Sequence, residues 1–375
     1  MGDKFDVAVI GAGIVGASCA YALASTHRVL LLEGENQPGY HTTGRSAALF
    51  EDAYGPLPIR QITKASRPFL ESPPPGFAEH PLLSPRGTMF VAGPGKDASV
   101  ERELAAALPG TVVEIPAARA RELCPIFDPG WLRRAIHNPA AMDMDVHAIH
   151  RGYLRGFKAR GGTLACDAEV TGLTRGGAGW TVATRAGTFG AARIVNAAGA
   201  WADRIAALAG VLPIGIVPKR RTAFVFEVPE HAATLGTWPM CCEIDETFYF
   251  KAEAGLLLAS PADETPSEPC DAQPEEIDIA ECAARIEAAT TLRIGRIKRK
   301  WAGLRCFVAD KTPVLGPDPA VPGFDWAAAP GGYGIMTSPA VGRIVAAFVR
   351  GEDLPADIAA TGARAADFSA ARLRA

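Results

Sequence analysis

D-V-A-V-I-G-A-G-I-V-G, residues 6–16, is the stretch from which the fold of this chain is read. Residues 6–10 are a short run of Val, Ala and Ile and read as a buried parallel strand. Gly11, Gly13 and Gly16 then fall in a G-x-G-x-x-G pattern, with Ala12, Ile14 and Val15 between them, where the strand must turn into a helix. The first glycine permits the tight turn, and the second lets the backbone approach a pyrophosphate. The third lets helix and strand pack closely, with the helix N-terminus facing the phosphates. Residues 17–25 continue as a helix of small residues, and residues 28–32 form a second apolar strand ending in Glu33. That acid lies 22 positions after Gly11, where a carboxylate can accept a hydrogen bond from a ribose hydroxyl. A glycine triplet alone is a weak signal. Strand, triplet, helix, strand and acid in register predict a dinucleotide-binding unit.

Composition narrows what surrounds that unit. A chain of 375 residues exceeds one small core and predicts two domains. Hydrophobic content of 48% and a net charge of -3 argue against disorder and against a nucleic-acid partner. No apolar run reaches membrane-spanning length, and the glycine-rich strand begins too near Met1 to leave room for a signal peptide. Eight cysteines are scattered without a C-x-x-C pair, and adjacent Cys241 and Cys242 suit neither a disulfide nor a zinc site. The expectation is a cytoplasmic protein with reduced thiols and no metal.

Further along, the chain is expected to cross between its two domains more than once. Pro-rich segments at 72–76 and 81–85 interrupt regular patterns. Residues 145–158 read as a helix, and residues 161–163 lead into a strand. Residues 170–182 and 188–195 read as hairpin strands ending in N-A-A-G, and residues 221–226, 247–250 and 255–260 add β-rich segments. Residues 275–289 read as an amphipathic helix. Residues 326–329 form a late strand, broken by Gly331, Gly332, Tyr333 and Gly334 before a small-residue helix at 338–348. The expected fold class is α/β with α+β two-domain character. A Rossmann-like nucleotide domain would be built discontinuously from residues 1–50, 138–220 and 320–375. Residues 51–137 and 221–319 would form a substrate domain with a large antiparallel β-sheet.

Two landmarks favour FAD over NAD. V-N-A-A-G-A-W, residues 195–201, is a strand ending in small residues, where a second backbone pass can approach a cofactor. A-P-G-G-Y-G-I, residues 329–335, is another glycine turn leading into a helix, whose N-terminus would stabilise negative charge on a reduced flavin. Each read alone is as well explained as an ordinary tight turn.

With these motifs the sequence resembles the D-amino-acid oxidase superfamily of FAD-dependent oxidoreductases, and most closely its bacterial D-arginine dehydrogenase-like members. The resemblance spans nearly the whole chain. It is carried by G-A-G-I-V-G (11–16), Y-H-T-T-G-R-S-A-A (40–48), H-P-L-L-S-P-R (80–86), V-N-A-A-G-A-W, P-K-R-R (218–221), F-Y-F-K (248–251), W-A-G-L-R (301–305) and G-G-Y-G-I. It implies noncovalent FAD bound by the first glycine motif and Glu33, by Thr43, Gly44, Arg45, Ser46, Ala47 and Ala48, by Val170, Ala198, Gly199 and Trp201, and by Gly331, Gly332, Tyr333, Gly334 and Ile335.

Oxidising an α-amino acid means moving a hydride from Cα to flavin N5, which requires a fixed substrate. Arg is suited to grip the carboxylate through a bidentate pair. The resemblance assigns that role to Arg305, and to Arg221 in preference to Arg220. Either arginine of the 219–221 run is otherwise read as a solvated cation. Tyr249 would donate to the carboxylate, Tyr54 would close the pocket unless it is simply a core tyrosine, and the Gly332 carbonyl would accept from the amine. The product imino acid would hydrolyse to a 2-oxo acid and ammonia.

Two departures bear on the substrate. Arginine-selective relatives carry an acid after S-P-R and a histidine after G-R-S-A-A, where this chain has Thr88 (after Gly87) and Leu49. The expectation is a more apolar pocket favouring neutral D-amino acids over cationic ones, unless Glu51, Asp52, Glu243 or Asp245 supplies the acid. The segment 255–260 carries Leu256, Leu257 and Leu258 where sarcosine-type oxidases place a lysine, which favours a dehydrogenase passing electrons to a quinone or other acceptor. Cys306 is read as a buried thiol, with covalent flavin attachment as its alternative. Two further functions stay open: a glycine/sarcosine-type amine oxidase or FAD-dependent 2-hydroxy-acid dehydrogenase, and a non-catalytic flavin-binding protein.

Overall fold

In the computed structural model, which describes residues 4–107, 110–177 and 179–374, glycine spacing sets the geometry of the N-terminal unit. The strand Lys4–Ile10 passes into the helix Ile14–Leu23, and Val29–Leu32 returns parallel to the first strand. Gly11 has φ 98°, a conformation that strains any side chain, and a Cβ there would lie 2.5 Å from the Ala197 carbonyl oxygen. A Cβ at Gly16 would be driven into the Gly11 carbonyl oxygen. The third glycine is therefore what lets the helix settle onto its strand.

Around this unit runs a parallel sheet in the order Phe324–Ala328, Gly187–Asn196, Lys4–Ile10, Val29–Leu32 and Thr163–Ala165. Val170–Gly176 and Gly179–Thr184 extend it antiparallel beside Gly187–Asn196, and Val314–Pro317 does so beside Phe324–Ala328. The single strand expected at 170–182 is thus two, because the glycine-rich stretch after Gly176 reverses the chain; residue 178 lies outside the described residues. Helices Ile14–Leu23, Val146–Ala159 and Gly334–Val349 cover one face through a shared apolar core. Asp145 caps the second of these, its carboxylate accepting from the Ala148 amide at 2.8 Å. The last helix starts at Gly334, not at 338 as expected, so its N-terminus follows the glycine turn directly. Gly342 lets it cross Ile14–Leu23 closely, since a Cβ there would lie 2.6 Å from the Ser18 carbonyl oxygen.

The second sheet has nine strands. Its order is Thr265–Pro266, Val217–Phe226, Leu256–Ser260, Tyr249–Glu253, Met240–Glu243, Thr88–Ala92, Arg134–Asn138 and Val113–Pro116, with Ile297–Phe307 also paired to Val217–Phe226. It is antiparallel except where Met240–Glu243 runs parallel to Thr88–Ala92. One face buries Phe224, Phe226, Phe250 and Leu257 under the helix Glu276–Ala289. The opposite face carries Ala223, Cys242, Tyr249 and Leu258 towards the nucleotide unit. A small sheet of Leu49–Phe50, Met142–Met144 and Leu83–Pro85 joins the two parts.

Two strands lie across the expected domain boundaries. Val217–Phe226 enters the large sheet at Val217 rather than at 221, and Val314–Pro317 belongs to the nucleotide sheet although 221–319 was assigned to the substrate domain. Among the described residues no helix is long and apolar enough to cross a membrane, no cluster could hold a metal ion, and all eight cysteines are free.

Gly16→Ala is expected to destabilise the apoprotein by at least about 1–3 kcal/mol, the usual cost of forcing extra atoms into a packed site. Gly13→Ala, whose Cβ would meet only the Thr43 hydroxyl at 3.2 Å, should unfold near the wild-type temperature while weakening cofactor retention. Thermal unfolding of both apoproteins, with FAD content of the purified forms, checks the distinction.

Candidate active site

Two adjoining cavities, of about 720 Å³ and 220 Å³, lie on the seam between the sheets. They share Gly13, Thr42, Thr43, Arg45, Ala197, Gly199, Gly303 and Leu304, so they form one elongated space.

The larger cavity is walled by Gly11, Glu33, Val170, Ala198, Gly199 and Trp201. Glu33 is fixed by two backbone amides: Ala12 donates to Oε2 at 3.0 Å and Glu35 to Oε1 at 3.1 Å. Burial raises its pKa while those amides work to lower it, and lone pairs remain for ribose hydroxyls. Beneath the glycine loop, buried His150 approaches the Ala12 carbonyl through Nε2 at 2.9 Å. Burial lowers its pKa, so the neutral ring donates from Nε2 and braces the loop. No local pattern signals this role, because His150 lies within an ordinary amphipathic helix.

The segment Thr42–Arg45 forms the wall between the cavities and is clamped to the large sheet. The Thr42 hydroxyl donates to the Leu304 carbonyl at 2.8 Å and accepts from its amide at 3.2 Å. Arg45 donates to the carbonyls of Ala272 and Ala302 at 3.0 and 2.9 Å and pairs with Asp271 at 2.5 Å. Trp301 Nε1 donates to the Arg45 carbonyl at 2.9 Å. Thr43 Oγ1 accepts from the Ile14 amide at 2.9 Å, joining the segment to the first helix.

The smaller cavity continues past Ser46, Ala47, Ala48 and Leu49 to the glycine turn, where Gly331, Gly332, Gly334 and Ile335 line it together with Ile14 and Val15. Three cofactor expectations serve the cavity without lining it. Gly16 packs on Gly11, Gly44 donates its amide to the Gly39 carbonyl at 2.8 Å, and Tyr333 stands at the N-cap of the last helix against Tyr54, ring centroids 5.3 Å apart.

At the far end the expected substrate residues converge. Arg305 and Arg221 sit on neighbouring strands, and both line the cavity with Tyr249, Tyr54 and Gly332. Arg220 turns the other way, into Glu275, Asp278 and Asp263. Arg221 is 8% exposed, touches Glu264 only at 3.5 Å, and has an Nε without a partner. Among the described residues the Arg305 guanidinium has neither an ion pair nor a hydrogen bond. Burial opposes its charge, but Tyr54, Tyr249 and Glu246 outweigh that and hold its pKa above the ordinary arginine value. It lies flat over Gly332, where a Cβ would come within 2.7 Å of its central carbon. The Tyr54 hydroxyl donates to Glu246 Oε2 at 3.2 Å across the cavity mouth.

Three of the four candidate acids are engaged away from the cavity. Asp52 pairs with Arg67, and Asp245 with Lys96 and Arg102. Glu243 accepts from Thr247 and from the Asp245 amide within its own turn. Glu51, however, lines the cavity, as does Glu246, which the sequence did not single out because it sits in an irregular turn at φ 55°. The preference for neutral side chains was expected only of a pocket without an acid, and of the four candidate acids Glu51 is the one that lines it. Met240, Cys242 and Phe90 complete the wall beside Thr88; alternation along their strands was the signal that could have found them.

A family model described as FAD dependent oxidoreductase (DAO) matches residues 6–348. The chain is 23% identical to hydrogen cyanide synthase subunit HcnC of Pseudomonas aeruginosa, over 96% of this chain and 95% of that protein. It is 24% identical to mitochondrial dimethylglycine dehydrogenase of Mus musculus over 65% of this chain, but spans only 30% of that relative's length. The crystal structure of glycine oxidase from Geobacillus kaustophilus superimposes with a TM-score of 0.80 at 23% identity, covering 93% of this chain and 95% of that one, and shares its fold.

Cys306 lines the smaller cavity, and burial pushes its thiol up to about 12, so it is not a thiolate at neutral pH. Acid precipitation should therefore release all of the FAD into the supernatant. Flavin that stays with the pellet in the wild type but not in Cys306→Ala would show a covalent link instead.

Proposed function

Because the chain belongs to the DAO family of FAD-dependent oxidoreductases, we propose that it oxidatively deaminates D-α-amino acids as a dehydrogenase. The observation that carries this reading is the unpaired Arg305 fork beside Arg221, facing a cavity that also offers Tyr249 and the Gly332 backbone. Two inward cations, Arg305 without a partner carboxylate and Arg221 with only the long contact to Glu264, are costly for a scaffold that only binds flavin. They are what a site for an α-carboxylate requires.

FAD would be held by the glycine loop, Glu33, the Thr42–Arg45 segment and the N-terminus of Gly334–Val349, and when bound it supplies the two-electron acceptor for a hydride. The protein's part is positioning. Arg305 and Arg221 bind the carboxylate, with Tyr249 donating its hydroxyl. The Gly332 carbonyl accepts an N–H of the amine, so Cα is held from two sides. Tyr54, tied to Glu246, closes the mouth and excludes water. The imino acid that leaves is hydrolysed by water to the 2-oxo acid and ammonia.

The D configuration rests on the motif resemblance to D-arginine dehydrogenase-like proteins. Dehydrogenase character, with a quinone or similar acceptor, is supported by the absence of any lysine among the described residues lining the cavity. Lys251 is buried nearby, but its ammonium is held by Asp143 and Glu253 at 2.9 and 3.1 Å. A glycine- or sarcosine-type substrate is the second reading, favoured by what the relatives are named for. The free cysteines support a cytoplasmic location.

Anaerobic flavin bleaching with D-amino acids, L-amino acids, N-methyl amino acids and 2-hydroxy acids tests the reading, which fails if the D-amino acids leave the flavin oxidised. Arg305→Met should cost about 3–5 kcal/mol in kcat/KM, the usual loss when one partner of a buried charged pair is removed. Arg305→Lys should recover only part of it, because an ammonium cannot reproduce the planar fork. Steady-state rates with an artificial electron acceptor measure both.

A further inference from the structure

Glu51 is the charged group in the cavity that the proposed chemistry leaves idle. It is 4% exposed, and its Oε1 accepts from the Ala53 amide at 3.0 Å and from Asn138 Nδ2 at 2.5 Å. Those two donors fix the carboxylate; its buried Oε2 makes no well-formed hydrogen bond, and the neighbouring Thr88 hydroxyl is the further group that favours its charge. The hydroxyl of Thr88, 3% exposed and lining the same cavity, stands beside Glu51 and likewise makes no well-formed hydrogen bond. Asn138 lies directly opposite Thr88 in the sheet, so one strand pair presents both the brace and the second open oxygen.

We infer that Glu51 and Thr88 form a second recognition pole, one that accepts N–H donors from a cationic group at the far end of a long substrate side chain. This rests on the reading of the cavity as an amino-acid site and names the substrate class within it: amino acids with a guanidinium or ammonium terminus. The distance between the poles sets the length. Arg221 and Thr88 line the cavity from strands four steps apart in the sheet, about 19 Å at roughly 4.8 Å per step before side-chain reach is subtracted. A substrate gripped at Arg305 and Arg221 needs an extended side chain to reach Glu51, which glycine and sarcosine lack. The charge sets the chemistry. A neutral hydroxyl or amide could fill the open lone pair of Oε2, but only a cation also compensates a buried carboxylate. Burial raises the pKa of Glu51 although Ala53, Thr88 and Asn138 act to lower it, as expected of a carboxylate with donors around it but no counter-charge.

The test compares charge preference in wild type, Glu51→Gln and Thr88→Val, all FAD-loaded, by two independent readouts. Glu51→Gln keeps an oxygen for Ala53 and Asn138, so those two contacts persist. Wild type should favour D-arginine and D-lysine over D-norleucine by about 30-fold or more in kcat/KM, and should bind δ-guanidinovalerate about 30-fold more tightly than octanoate by perturbation of the flavin spectrum. Both ratios should collapse by tenfold or more in Glu51→Gln, and by less in Thr88→Val. Ratios unchanged in Glu51→Gln, or a wild type indifferent to charge, would overturn the second pole while leaving amino-acid oxidation intact. A protein that oxidises no amino acid yet binds δ-guanidinovalerate through Glu51 would retain the pole and lose the proposed reaction.

Discussion

Everything in the site hangs on the clamp between Thr42–Arg45 and the strand Ile297–Phe307. Neither cavity is made by one sheet alone, and this segment is where the nucleotide unit is stitched to the large sheet. Its bonds are of the kind that resist sliding. Thr42 both donates to and accepts from Leu304, Arg45 reaches two carbonyls, and Trp301 answers with its indole N–H. Because Arg305 follows Leu304 directly, the same register that holds the wall between the cavities sets where the Arg305 guanidinium points. A slip of one residue would turn Arg305 to the opposite face of the strand.

Charge in the smaller cavity is arranged by exclusion as much as by attraction. Arg220, Lys219 and the surface acids pair with one another, whereas Arg305 and Glu51 are each left with an open valence. Lys219 and Arg221 share Glu264, which holds Arg221 in place by only a long contact. Buried groups kept incomplete cost stability, and a fold tolerates that mainly where a ligand completes them.

What could be read in advance divides along physical lines. The first glycine motif was legible because a phosphate-binding turn constrains backbone geometry, and backbone geometry constrains residue type, as the Gly11 and Gly16 contacts show. Arg221, Arg305 and Tyr249 were anticipated through the motif resemblance, since the strand pattern by itself left Arg220 and Arg221 open and said nothing of the other two; the cavity brings all three together. Glu51 was only one of four candidate acids, since nothing local distinguishes it from Asp52; its place depends on Asn138, brought in by a strand far along the chain. Glu246 and His150 were illegible for the same reason. Each acts through a contact that exists only after distant elements meet.

The interleaving of the chain has a kinetic consequence. The central strand Lys4–Ile10 is synthesised first but needs Gly187–Asn196 as its neighbour, and that strand in turn needs Phe324–Ala328. The helix Gly334–Val349, which packs on Ile14–Leu23 and walls the smaller cavity, comes later still. Non-local pairing of this kind folds slowly, because long loops must close before their contacts reward them. A nascent chain emerging from the ribosome therefore holds the phosphate loop long before it can form a flavin pocket. Cofactor capture waits for that last helix, and the pool of free FAD sets how long the apoprotein lingers with its seam unfilled.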